Sequence, residues 1–174
     1  MYKHKGVCRW LATTVFAIGL ALVTAPTGHP EPPAPPTDPY PDGDLIVRSY
    51  DSLEPDEFFA AGAAPGVWFL TPSGLNCGIW DRGGFGCAGD IPGAPGGARH
   101  IGWFNGNIVV RYDPVVPIQW PPGQAQRTLP PRSYVSWNGT MCVTMADSST
   151  YCERGPFRFF ITQTHTWLSP PENL

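Results

Sequence analysis

From Gly66 onward the chain runs in short bursts of apolar and aromatic residues, each closed by glycine or a turn-forming pair. Bursts this short, bounded this way, predict β-strands; a helix needs a longer run with a 3.6-residue period. Val67-Trp68-Phe69-Leu70 is the first, and Thr71-Pro72-Ser73-Gly74 turns it. Leu75 to Trp80 and Gly84 to Ala88 flank Asp81-Arg82-Gly83, a three-residue loop with glycine where a left-handed backbone is needed. Ser133 to Trp137 and Thr140 to Met145 flank Asn138-Gly139, the strongest short-range hairpin signal in the chain. A turn at Ala146 to Ser149 leads into Thr150 to Glu153. Phe157 to Thr162 and His165 to Leu168 are further strand candidates, rich in Phe, Ile, Thr and Trp. The stretch from Gly89 to Arg132 reads as a long central excursion. Residues 66–170 are thus predicted to form one β domain.

Upstream the pattern is different. Lys3, Lys5 and Arg9 precede Leu11 to Ala25, an apolar run of fifteen residues broken only by threonine. That is short for a hydrocarbon core of about 30 Å but suits the apolar part of a signal peptide. Residues 1–25 are therefore read as a signal peptide, cleaved after Ala25 or Ala21, with an uncleaved anchor as the alternative. Cys8 precedes the apolar run, so it is no lipid-attachment cysteine and leaves with the signal. Residues 26–44 are read as a proline-rich acidic tether, too proline-dense for a helix or central strand and suited to extended polyproline II. Residues 45–65 form a lead-in. Within it Asp51 to Phe59, with early acids and a proline in the first turn, followed by Ala-Ala-Gly, predict a short helix.

Composition sharpens this division. Proline (22) and glycine (20) make up about a quarter of the 174 residues, yet 42% of residues are hydrophobic, so a core is available downstream of the tether. Net charge is −3, and no lysine follows Ala25. A chain without a basic patch is a poor polyanion binder, which argues against nucleic acid as a partner.

The four downstream cysteines fall into two matched pairs. Cys77 and Cys87 stand ten apart across the first hairpin, and Cys142 and Cys152 ten apart across the Ala146–Ser149 turn. Each pair is equidistant from its turn centre, so a hairpin sets its members side by side. Four cysteines allow three pairings, and hairpin geometry favours Cys77–Cys87 with Cys142–Cys152. Structural zinc sites use close pairs such as C-x2-C, so nine intervening residues point to disulfides and to no metal. The expected fold is all-β: a small disulfide-stapled antiparallel sheet or barrel-like domain with long loops, after a signal peptide and tether.

No catalytic residue stands out. Gly84-Phe85-Gly86-Cys87-Ala88-Gly89 matches G-x-G-x-x-G, but Asp90-Ile91-Pro92-Gly93 follows where a dinucleotide site needs a helix. There is no nucleophile elbow, zinc-protease helix or phosphate loop, and no cofactor is expected. His29 lies in the tether, leaving His100 and His165. Either, with Ser73 and Asp90 or Asp113, sketches a triad; Asp81 with Asp90 sketches a glycosidase pair. Loop aspartates beside glycine are more often turn residues. Tryptophan is the informative excess: Trp68, Trp80, Trp103, Trp120, Trp137 and Trp167 follow the signal. Most are expected in the core. Trp80 and Trp103 are the best candidates for exposed ligand contacts, and Arg82 beside Trp80 at its hairpin loop and His100 ahead of Trp103 in the central excursion complete the candidate ligand-binding set.

Val67-Trp68-Phe69-Leu70-Thr71-Pro72-Ser73-Gly74-Leu75-Asn76-Cys77, then Cys87, then Met141-Cys142 through Cys152-Glu153-Arg154-Gly155-Pro156-Phe157, resemble the exported conserved hypothetical proteins of mycobacteria and related actinobacteria. The resemblance spans roughly Gly66 to Leu168. It implies a secreted or cell-envelope location and a conserved disulfide frame, and it carries no catalytic residue. The expectation is a non-catalytic binding or structural module for an envelope glycan, lipid or protein. A hydrolase of envelope polymer and a secreted effector binding a host protein are the alternatives. Membrane contact is expected only through the N-terminal segment, if it stays uncleaved.

Overall fold

A computed structural model describes residues 38–59, 65–114 and 127–170. The signal segment, most of the tether, His29 and Trp120 lie outside these residues. Two sheets form. One has five strands in the order β2-β3-β4-β5-β6: Gly66–Leu70, Asn76–Trp80, Phe85–Ala88, His100–Trp103 and Arg111–Tyr112. The other has six in the order β1-β7-β8-β9-β10-β11: Asp51–Leu53, Ser133–Trp137, Thr140–Thr144, Thr150–Arg154, Phe157–Ile161 and Thr166–Ser169. The strands read from the sequence downstream of Gly66 form within a residue or two of where the pattern puts them.

Both sheets turn one face onto a shared core and neither closes into a barrel. Val67, Phe69, Ile79, Phe85 and Ile101 of the five-stranded sheet meet Val135, Phe159 and Ile161 of the six-stranded one. Phe85 and Phe159 touch across the gap with ring centroids 5.5 Å apart, and Trp103 stacks on Phe157 at 4.7 Å. The period of two along each strand makes this arrangement: alternate residues point inward.

Cys77 pairs directly with Cys87, and Cys142 with Cys152, in the strand registers. Both pairs are disulfides, with Cα atoms 4.0 and 4.1 Å apart, and all four cysteines are buried in the shared core. The symmetric spacing about each turn predicted this. Such bonds mark maturation in an oxidising, extracytoplasmic environment. Each closes a loop of about eleven residues, worth about 3 kcal/mol in the chain-entropy picture.

Three parts of the fold differ from the sequence reading. The helix expected over Asp51 to Phe59 is instead β1 and a single 3-10 turn at Pro55–Phe58. β1 runs parallel to β7, Asp51 opposite Ser133 and Leu53 opposite Val135, so pairing with an open strand overrides the local helix signals. The helix lies earlier: α1, Gly43–Ser49, is capped by Asp42, whose side chain accepts from the Asp44 and Leu45 amides at 2.9 and 3.2 Å. Ile46 of α1 and Phe58 of the 3-10 turn are both 2% exposed, so the lead-in belongs to the packed domain. Finally, the central excursion contributes β5 and β6. Glycine at 102 disguises β5 in the sequence, yet Gly102 sits opposite Gly86 in the sheet.

Candidate functional site

The two tryptophans expected at the surface are inside. Trp80 is 5% and Trp103 4% exposed. Trp103 joins the shared core. Trp80 lies on the outer side of the five-stranded sheet, its ring parallel to that of Trp68 at 6.3 Å and beside Phe104 at 5.4 Å. The reason is a glycine floor. Trp68, Gly78, Gly86 and Gly102 stand opposite one another across β2 to β5. A Cβ on Gly78 would come 2.6 Å from Trp68 Cζ3, and one on Gly84 2.7 Å from Trp80 Cδ1. The indoles occupy the room that missing side chains leave. The G-x-G-x-x-G stretch is therefore β4, and two of its glycines accommodate Trp80.

Arg82 is exposed at the β3–β4 turn, with positive φ (59°) and a 3.5 Å ion pair to its neighbour Asp81. His100 begins β5, half-buried; burial and then the nearby Arg99 hold its imidazole below the usual histidine range. These four residues do not form one site: two are packed, and Arg82 and His100 sit at opposite ends of the five-stranded sheet.

The residues proposed for hydrolysis are apart too. Ser73 belongs to the turn between β2 and β3, where its hydroxyl meets that of Thr71 at 2.8 Å and Thr71 Oγ1 accepts from the Leu75 amide. Asp113 is buried and held by Arg111 Nε and Nη2 at 2.7 and 2.6 Å. Asp81 and Asp90 flank β4, whose four residues span about 13 Å, beyond the reach of a glycosidase pair. Among the described residues neither His100 nor His165 makes a side-chain hydrogen bond, and no group of three or more His, Cys, Asp or Glu can hold a metal ion.

A largely aromatic row lies on the outer face of the six-stranded sheet. Tyr134, Val143, Tyr151, Phe160 and Trp167 stand opposite one another across β7 to β11. Ile46 of α1 and Tyr40 cover the middle of this row. At its β10–β11 end Trp167 is half-buried, stacked on Phe160 at 5.7 Å with His165 at 5.1 Å. Tyr40 lies under the Arg158 guanidinium (3.9 Å), which also bonds Asp38 at 3.1 Å. Burial pushes the Tyr40 phenol up to about 12 against the opposing pull of Arg158. Burial, then the 2.5 Å bond to Glu153, also raises Tyr151. Thus the last residues of the tether are pinned to the sheet.

At the end of that face the hairpin tips create a depression of about 290 Å³ lined by Ser136, Gly139, Thr140, Met141, Glu153, Arg154 and Gly155. Thr140 Oγ1 donates to Gly83 O at 2.6 Å, and Arg154 Nη1 donates to Asn138 O. The first bond fastens the Asp81–Gly83 turn of one sheet to the hairpin of the other; the second ties β9 to the Asn138–Gly139 turn within the six-stranded sheet. Asn138 and Gly139 both take positive φ, the hairpin-turn geometry that this pair of residues encodes. The Arg154 guanidinium also lies 5.8 Å from the Trp103 ring centre.

No family model, curated protein or solved structure matches the chain. The site therefore rests on its own geometry. Glu153 and Arg154 stand out in the sequence only within the stretch that carries the resemblance, and Ser136 only as part of a strand, so none was assigned a role; Trp167 was visible only as one tryptophan among six. Among the described residues no helix is long and apolar enough to cross a membrane.

Proposed function

We propose that this chain is a non-catalytic binding or structural module of the cell envelope or the secreted fraction. Its contact surface is the outer face of the six-stranded sheet. One observation carries the reading: half-buried rings at Phe160 and Trp167 share that face with a polar depression, while neither described histidine is oriented by a second polar group. A general base is normally held in that way, whereas a binding face needs accessible aromatic and hydrogen-bonding groups. The disulfide pairs, the N-terminal apolar run and the resemblance to exported actinobacterial proteins support the location.

The test is fractionation of an actinobacterial host expressing the full chain. Intact mass should give a shortened product with two disulfides in the envelope or supernatant, and the purified product should be retained on isolated envelope material. A product that keeps its N-terminus and free thiols inside the cell would overturn the location. Steady release of fragments from envelope polymer would overturn the non-catalytic reading in favour of a hydrolase.

A further inference from the structure

Met141 and Met145 are the two methionines of the β domain, four residues apart about β8. Both are half-buried, and both pack at the margin of the outer-face cluster of Ile46, Val143 and Tyr151. Their surroundings differ. Met141 stands opposite Ser136 on β7 and Glu153 on β9, and all three line the depression of about 290 Å³. Met145 opens the β8–β9 turn, where its amide donates to the Ser149 carbonyl, and it does not line that space. A water molecule takes about 30 Å³ in the liquid, so an oxidant little larger than water enters the depression and reaches the Met141 side chain. Among the described residues every cysteine is joined in a disulfide, so no thiol competes for that oxidant.

A thioether is a soft, polarizable donor and needs no base to activate it. A sulfur lone pair attacks one oxygen of a hydroperoxide; an S–O bond forms and the O–O bond breaks. Sulfur is oxidised by two electrons and the peroxide is reduced. The proton of the attacked oxygen passes to the other oxygen, which leaves as water or an alcohol. Ser136, at a cross-strand distance of about 4.5–5.5 Å, carries a hydroxyl that can donate to the oxygen that sulfur acquires. The product is polar where the thioether was apolar. That change falls beside the arm: Ile46 of α1 packs in the same cluster, and a Cβ on Gly43, at the start of α1, would come 2.9 Å from Glu153 Oε1. A sulfoxide has to be hydrated or hydrogen-bonded, and water drawn to it enters where α1 meets the sheet.

We infer that Met141 is a site of reversible oxidation by small hydroperoxides, and that its sulfoxide loosens residues 40–50 from the six-stranded sheet. The site goes beyond the binding reading and does not rest on it. It needs only the sulfur, the opening beside it and the arm that packs next to it.

The experiment treats the folded exported chain, disulfides intact, with dilute hydrogen peroxide and follows each methionine by peptide mass. Met141 should gain one oxygen severalfold faster than Met145, and the two rates should become equal in denaturant. Amide exchange should then rise across α1, and the unfolding midpoint should fall. A methionine sulfoxide reductase should reverse both changes. Met141→Leu, close in volume, should keep its exchange pattern under the same treatment, whereas Met145→Leu should still respond. Equal native rates, or faster oxidation of Met145, would mean that the depression does not select the sulfur and would overturn the site. A sulfoxide at Met141 that leaves exchange in α1 unchanged would overturn its effect on the arm. Loosening that persists in Met141→Leu, or that the reductase cannot reverse, would trace the change to other oxidative damage and sink the assignment.

Discussion

Glycines at 78, 84 and 86 act here through what they lack. At 78 and 84 a tryptophan ring stands where the side chain would be; at 86 the Ile101 carbonyl stands there, with the Trp80 ring beside it. Replacing Gly78 with alanine drives a methyl into Trp68 and toward the Val67 carbonyl at 3.1 Å, inside a sheet that cannot part without losing its ladder. The expected cost is about 1–3 kcal/mol, as for other overpacked cores. It should be read as a lower denaturant midpoint at unchanged slope. Gly74 makes the contrast: nothing lies within 4 Å of its missing Cβ, and only its φ of +86° resists alanine. Tyr40 gives a second test. Its phenol titrates near 10 in an unfolded chain and is held up to about 12 in the fold, chiefly by burial. The folded state then binds its proton more tightly. The stability it lends is complete below about pH 10 and disappears as pH climbs toward about 12. Tyr151 shifts in the same direction, through burial first and Glu153 next. The unfolding midpoint should therefore fall through this alkaline window, and Tyr40→Phe should flatten part of the slope. An unchanged slope would mean that the ring is not packed against the sheet.

Between elements, the turns do more than reverse the chain. Thr140 opens β8, yet its hydroxyl serves the Gly83 carbonyl of the other sheet. Thr140→Val keeps the shape and leaves that buried carbonyl without its donor. A loss of about 1–3 kcal/mol is expected, together with faster amide exchange at Gly83 to Phe85 and Asn138 to Thr140. If exchange changes only near residue 140, the two hairpins are not coupled through this bond. The hairpins themselves were legible from Asn138-Gly139, Asp81-Arg82-Gly83 and the cysteine spacing, because a tight turn is a local conformational demand that few residues meet. β5 was not legible: Ile101-Gly102-Trp103 breaks the alternation at the residue where the glycine floor needs no side chain. β1 was hidden for a different reason. Asp51-Ser52-Leu53 has weak intrinsic preference and becomes a strand only because β7 offers an unpaired edge.

For the molecule as a whole, the decisive feature is the reach of residues 38–58 over the six-stranded sheet. They add β1 to one edge, set Ile46 over Val143 and Tyr151, and bury Phe58 in the shared core. A chain beginning at Gly66, where the sequence places the domain boundary, would expose that row and lose both anchors. It should be recovered unfolded or aggregated, whereas a chain beginning at Thr37 should unfold cooperatively. Circular dichroism and a denaturation curve on the two products decide it; equal stability would return residues 38–58 to the role of a passive lead-in. Two internal disulfides, each closing a short loop, restrain the unfolded chain without linking the two sheets. The sheets are held together by the core, the hairpin clamp and the covering arm.

What the chain determined by itself was local and covalent: where strands begin and turn, which cysteines meet, and that its bonds mature under oxidising conditions. These depend on neighbours a few residues away, so spacing alone carries them. Which tryptophans are covered, which polar groups gather at the hairpin tips, and which arm closes over the sheet depend on packing, most of it between residues far apart in sequence. Trp80 and Trp103 look like surface residues until Phe104 and Phe157 are set against them, and Arg154 looks like any exposed cation until its head meets the Asn138 carbonyl. Only packing decides such matters, because burial belongs to the surroundings of a side chain and not to the side chain itself.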